Sequence, residues 1–559
     1  MLSRVVFILL ASLAACTTGD PSTTSSAAIS NDATHAAAAI SVDAIRAHMR
    51  FLSDDALEGR GTGTRGYDLA AKYVAAQFEA LGLAPAGQAG SYFQPVPLRS
   101  SLVDGARSSL SLRFPDGETS LAHRTEWTAV GDPARGDVSV EAPVVFVGAG
   151  VTAPDQKYDD YGGVDVNGKI VAWVYTTPSF DSAVKAHYSN SVVRRANAAR
   201  HGAVGWIRLA DPTSEKQYSF AMVARDNNNA GFNWLDPKGQ PNDYDERLRG
   251  SALVNMDVTR KMFAASGRRA EDVFAAARAG TPQPFDMKVT ARLRKVTTSV
   301  DVTSPNVVAK LEGSDPNLKN EYVVYTAHLD HVGVGGEVKG DRIYNGALDN
   351  ASGTAVMLEL ARAFSAMQPR PKRSMLFVSV TAEEAGLLGS DFFASYPTVP
   401  KASIVANVNL DESGILWPLR DVIAYGAEHS TLEGAARQAA SQVGITLSPD
   451  PAPEQVLFVR SDQYSFVKQG IPSVFTVIGF KSDDPAIKPR EIWDRWEAER
   501  YHQPQDDMQQ PGLRFEEAVT FAKFNFLLGY LVAEDAKRPA WNPGSFFGDM
   551  YGKKAIGGS

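Results

Sequence analysis

From about residue 303 onward, short runs of consecutive apolar residues alternate with longer stretches whose apolar positions recur every three or four residues. The runs are "YVVYTA", "MLFVSV", "SIVANVNL", "DVIAYG" and "PSVFTVI". Between them lie "GTAVMLELARAFSAM" and "STLEGAARQAASQVG", which carry one apolar face at helical spacing. Short unbroken runs fit strands buried on both faces, and the three-to-four spacing fits helices packed against them. The alternation predicts an α/β fold, a mixed and largely parallel sheet sandwiched by helices. Sheets of that kind place ligand sites at the carboxyl ends of their strands.

The first half of the chain has two further helical patterns. "SVDAIRAHMRFLS" begins at Ser41, a suitable N-cap, and "GYDLAAKYVAAQFEALGL" stops at Gly82. Between about 130 and 300 the pattern changes. "APVVFVGAG" and "GKIVAWVY" predict strands on either side of the turn-rich "VTAPDQKYDDYGGVDVNGK". "NAARHGAVGWIRLA" predicts a helix, a glycine stop and another strand, and "VRRANAAR" a solvated helix face. Beyond Arg538 the chain is rich in Gly, Pro and aromatics and carries no functional signal.

At 559 residues the chain is too long for one ordinary core, so two or more domains are expected. Its formal net charge of -8 argues against a nucleic-acid partner. Cys16 is the single cysteine, so no intramolecular disulfide is possible. It ends "MLSRVVFILLASLAAC", in which Arg4 precedes an apolar stretch too short to span a bilayer. Small residues directly before the cysteine resemble the lipobox of bacterial lipoproteins. That resemblance implies cleavage before Cys16, lipid on Cys16 and residence in a bacterial cell envelope, at the outer membrane. Thr17 to Ala39 is rich in Ser, Thr and Ala and reads as a flexible tether. The expected organisation is a signal peptide over 1–15, a tether over 16–39 and a first part of the main domain over 40–130. An insert then covers 131–300, the main α/β domain 301–537 and a tail 538–559.

Five stretches place chemistry-bearing residues at or beside predicted strand ends. They are "YTAHLDHVG" with His328 and Asp330, "NGALDNASG" with Asp349, "VTAEEAGLLGS" with Glu383 and Glu384, "VNLDESG" with Asp411, and "ERYHQPQDD" with His502. Each alone is weak. Together, two histidines and several carboxylates suit one or two borderline metals such as zinc. A divalent ion lowers the pKa of water to about 7, and a carboxylate that is not a ligand can move its proton to a leaving amine. Adjacent residues leaving a strand point in different directions, so one glutamate of the pair can hold metal while the other faces substrate.

The order His-x-Asp, Gly-Ala-x-Asp-Asn-Ala-Ser-Gly, Glu-Glu-x-Gly-x-x-Gly-Ser, a strand-end Asp and Tyr-His resembles the family-28 metallopeptidases, the co-catalytic zinc aminopeptidases. "FVRSDQYSFVKQGIPSVF" and "LSDDALEGRGTGTRGYDLAAKYV" extend the match. The resemblance implies two zinc ions per chain bridged by Asp349. Glu384 and His502 would complete one position, His328 and Asp411 the other. Asp330 would orient the His328 ring, Glu383 would be the general base, and Tyr501 and Arg460 would stabilise the oxyanion. It also implies a cis peptide between Asp349 and Asn350, and peptides as substrates. Gln463 departs from the commoner histidine or tyrosine at its place. His331 has no slot in the pattern and reads as a lining or structural residue. The 131–300 segment resembles a protease-associated domain. Glutaminyl cyclase, an acyltransferase on the same sheet, and a receptor-like relative without catalysis are the alternatives. The sequence leaves the oligomeric state open.

Overall fold

The computed structural model describes residues 27–556 apart from 177 and 228. Cys16 and the expected signal peptide lie outside the described residues. Four parallel strands form the centre of the main sheet, in the order Ser374–Val380, Tyr322–His328, Ile404–Leu410 and Ser473–Ile478. An antiparallel strand flanks each side: the end of Phe285–Leu311 beside Ser374–Val380, and Asp421–Tyr425 beside Ser473–Ile478. The three central strands Tyr322–His328, Ser374–Val380 and Ile404–Leu410 are buried at every position. That is why they read as unbroken apolar runs rather than alternating ones. Helices Gly353–Ala366 and Phe515–Glu534 cover one face together with Val42–Leu52 and Arg65–Ala80. Ser41 caps its helix by accepting a hydrogen bond from the Ala44 amide at 3.2 Å. Gly82 adopts φ +70, which ends the next helix as expected.

A second core sits in the insert. Its parallel strands are Asp137–Phe146, Ile170–Val174, Gly205–Leu209 and Gly250–Val254. The 27-residue strand Phe285–Leu311 runs through both sheets. Its residues 290–294 lie between Ser109–Phe114 and Asp137–Phe146, and its residues 297–307 pair with Phe93–Val103. The two cores therefore share a continuous two-strand ribbon rather than a loose linker. The second core also starts earlier than 131. Leu110, Leu112, Phe114 and Trp127 are buried with Phe146 and Phe263. The short strands bearing them were too weakly patterned to be assigned from sequence.

Two further segments differ from expectation. Asn31–Ala38, expected within the tether, is a helix capped by Ser30. Ala33 and Ala37, one turn apart, are buried, and Tyr530 bonds the Ser30 hydroxyl at 3.0 Å. Alanines carry little hydrophobic signal in sequence yet allow close helix approach. "VRRANAAR" is not a solvated face. Arg194 is buried and donates to the carbonyls of Val174, Tyr175 and Tyr188, and Asn197 is fully buried. The tail carries the helix Phe546–Tyr551, with Phe547 buried against Phe458 and Tyr464. Burying that ring stabilises the tail by about 2 kcal/mol. Tyr551 also meets His187 Nδ1 of the insert at 3.0 Å, so the tail joins the two cores.

Candidate metal centre

The site forms at the carboxyl end of strand Tyr322–His328, which lies between Ser374–Val380 and Ile404–Leu410. His328 is the last residue of that strand. Glu383 and Glu384 lie in the turn between strand Ser374–Val380 and helix Leu388–Ser395. Asp411 directly follows Ile404–Leu410. Asp349 sits in the turn before helix Gly353–Ala366, and its peptide to Asn350 is cis. His502 follows helix Pro489–Glu499. The glycine of "NASG" has a packing reason: a Cβ on Gly353 would lie 2.4 Å from the Leu410 carbonyl. Only glycine lets this helix start against the strand that presents Asp411.

The side chains converge in two groups that share Asp349. On one side, His328 Nε2 lies 3.2 Å from Asp349 Oδ1 and 3.0 Å from Asp411 Oδ1. On the other, His502 Nε2 lies 3.2 Å from Asp349 Oδ2 and 2.9 Å from Glu384 Oε2. His331 Nδ1 joins the second group, 2.7 Å from Glu384 Oε1 and 3.7 Å from Asp349 Oδ2. Several of these atoms are buried without a hydrogen bond: both ring nitrogens of His331, His502 Nε2 and Glu384 Oε1. Orphaned buried polar atoms are costly unless a charge satisfies them. A set of imidazole nitrogens and carboxylate oxygens facing common points fits divalent cations of the zinc type.

The surroundings hold these groups in place. The ring of His328 is oriented by the Asp330 main-chain carbonyl, 3.1 Å from Nδ1. The Asp330 carboxylate stands 4.0 Å away and has another task. It accepts from the amides of Glu383 and Glu384 at 3.1 and 3.4 Å and from the Thr62 hydroxyl at 3.1 Å. The expected role of Asp330 thus shifts from the histidine ring to the backbone of the glutamate pair. Its own position, two residues beyond His328, turns its carbonyl and not its side chain toward the ring. Asp506 does the same for the other turn, accepting from the amides of Leu348 and Asp349 at 3.0 Å. Ser461 donates to Asp411 Oδ2 at 2.6 Å. Gln463 lies beneath the site: it accepts from Asn409 and donates to the Phe458 carbonyl, so its departure from the family pattern falls in the supporting network.

Behind the cluster Arg60 is buried, and it donates to the carbonyls of Leu52, Leu329, Asn345 and Gly346. Burial lowers its pKa to about 10, so it stays charged at neutral pH beside Asp349, Asp506, Asp330 and Glu384. The carboxylates around the histidines reverse the usual effect of burial. Burial opposes charging of His328, yet Asp411 and Asp349 hold its pKa well above the ordinary value. For Asp349 burial acts upward, but His331, His328 and His502 hold it well below the carboxylate range. Glu383 is different: burial pushes its carboxyl well up, and among its charged neighbours are His328, Asp411, Asp462 and Glu384.

Next to the cluster is a cavity of about 110 Å³ walled by Trp417, Tyr425, Phe475, Phe480 and Trp493, with Glu412, Arg460 and Tyr501 also at its lining. Tyr501 stacks on the His502 ring with centroids 3.9 Å apart. The structure therefore brings together every residue that sequence reasoning placed at the site, with Arg460 in the cavity wall. Sequence reasoning missed Arg60, Glu412 and Asp506 and set His331 aside. The adjacent "GRG", "DES" and "HQPQDD" carried the residues, but nothing in their spacing marked the role.

Residues 306–525 match the sequence model of Peptidase family M28. Over 218 residues the chain is 32% identical to aminopeptidase YwaD of Bacillus subtilis (strain 168), covering 37% of this chain and 40% of that protein. Over 229 residues it is 31% identical to a probable glutamate carboxypeptidase of Arthroderma benhamiae, covering 38% of this chain and 30% of that one. The chain thus matches less than half the length of these relatives. Among solved structures, an aminopeptidase from Aneurinibacillus sp. strain AM-1 superposes with a TM-score of 0.51 at 19% identity, covering 90% of this chain and 96% of that one. At that identity the likeness concerns the fold. The segment that matches this family model contains the whole cluster from His328 to His502.

Proposed function

We propose that this chain is a zinc-dependent aminopeptidase with two ions per chain. The observation that carries the reading is Asp349 shared between two histidine–carboxylate groups, with Glu383 beside them and outside both. His328, Asp349 and Asp411 would hold one ion; Asp349, Glu384 and His502 the other. When bound, such ions act as Lewis acids on a carbonyl and lower the pKa of a water. The chain's own residues do the rest. Glu383 takes a proton from the attacking water and delivers it to the leaving amine. Tyr501 and Arg460, in the wall beside the cluster, supply a hydroxyl and a guanidinium to the developing oxyanion. The aromatic cavity receives the side chain of the N-terminal residue. Glu412, between the cavity and Asp411, receives the free ammonium group.

The experiment is a panel of aminoacyl chromogenic substrates with and without a zinc chelator, alongside N-acetylated versions. Metal-dependent release from free-amine substrates is expected, fastest for large apolar residues such as Leu and Phe. Cleavage that ignores the chelator, or that prefers blocked N-termini, would overturn the reading. Glu412→Gln is expected to raise KM for free-amine substrates about 10-fold, the worth of one hydrogen bond to a charged group. An unchanged KM would remove Glu412 from amine recognition. A glutaminyl cyclase needs only one ion, and the two groups around Asp349 favour the peptidase.

Two expectations outside the described site belong to the same proposal. "LAAC" supports lipid attachment at Cys16 in a bacterial envelope. The insert reads as a protease-associated domain that shapes substrate access: Ala186 of its helix Ser182–Ser189 packs with Phe458, close to the cavity wall at Leu457 and Arg460.

A further inference from the structure

His331 has no place in the five-residue ligand set, yet its ring is buried at the metal centre with neither nitrogen hydrogen-bonded. Its amide is tied to the Arg60 carbonyl at 3.2 Å, and a Cβ on Gly346 would lie 2.6 Å from the ring. The backbone and its neighbour therefore hold the ring where it is. Nδ1 faces Glu384 Oε1 at 2.7 Å, Asp349 Oδ2 at 3.7 Å and, across the group, the His502 ring with centroids 5.6 Å apart. A cation shared by this nitrogen and this carboxylate oxygen would satisfy both at once. Both atoms are buried and neither has an assigned hydrogen-bond partner.

We infer that His331 is an additional protein ligand of the second metal position, which then has two imidazoles and two carboxylates. This rests on the dizinc reading above. The positions are unequal: His331, Asp349, Glu384 and His502 on one side, His328, Asp349 and Asp411 on the other. Imidazole favours zinc, whereas carboxylates also suit harder ions such as manganese. The histidine-rich position fills first and releases its ion last.

The test is metal content by mass spectrometry after dialysis against graded chelator, with no activity measurement required. Wild type is expected to lose its ions in two separate steps. In His331→Ala the tighter step should weaken by about 100-fold and merge with the weaker one. His331→Gln can still donate a hydrogen bond to Glu384 but offers no imidazole, so it should behave like the alanine variant. Retention of the tight step in His331→Ala, or its rescue in His331→Gln, overturns the inference and leaves His331 as a hydrogen-bonding support for Glu384. X-ray absorption of the wild-type zinc form guards against a variant that fails to fold: three imidazoles per pair of ions are expected, and two would refute it. A wild type that takes up no divalent ion would defeat the dizinc reading itself, a distinct result.

Discussion

Replacing Glu383 by alanine is expected to lower kcat by about a thousandfold while the protein keeps its metal. The adjacent glutamates differ in environment. Glu384 meets His331 and His502 at 2.7 and 2.9 Å. Glu383 lies on the side of His328, Asp411 and Asp462, where burial favours its protonated form. A carboxyl that holds a proton more readily than usual can take one from water and give it up again. The same variant of Glu384 should lose an ion, so the two losses of activity have different causes. Metal content and kcat measured together separate them. A Glu383→Ala enzyme with near wild-type turnover would dismiss the general-base assignment. One that loses an ion would mean that Glu383 belongs to the ligands.

Arg60→Met is expected to destabilise the fold by roughly 3–5 kcal/mol, the usual cost of breaking a buried polar network. The methionine fills much of the space but leaves the carbonyls of Leu52, Leu329, Asn345 and Gly346 without their donor. It also removes a guanidinium set among Asp330, Asp349, Glu384 and Asp506, so their mutual repulsion rises. Arg60→Lys should recover little, because a point charge cannot reach carbonyls arranged for a planar fork. Urea unfolding of the metal-free protein measures the loss, and a change below about 1 kcal/mol would contradict the role. Metal affinity should fall in parallel, since Leu329 lies between His328 and Asp330, and Gly346 leads into the Asp349 turn.

The strand ends around the site explain what could be read in advance. His328, Glu384 and Asp411 were visible because each ends or closely follows a strand of the parallel sheet, where such ends converge. Asp349 and His502 lie in loops beside helices and were visible through the order of the motifs. The apolar runs fixed where those ends fall, since strands buried on both faces tolerate no polar interruption. Arg60 was not visible. It precedes the Asp349 turn by more than two hundred residues, and only folding brings the two together. The Asp330 carboxylate was assigned to the wrong partner because residue types name a hydrogen-bonding capacity but not its direction. The tether and insert boundaries shifted for a related reason. Ala33, Ala37 and the short strand Ser109–Phe114 carry weak local signals and gain their burial from distant surfaces.

By itself the sequence determined the α/β alternation, the strand ends and the residue types gathered there, because burial and backbone geometry act locally through periodicity. The tertiary structure decided which of those residues share Asp349, that His331 turns into the second group, and that one long strand joins two cores. Those outcomes depend on distances between segments far apart in the chain. They follow from packing, which no local pattern encodes.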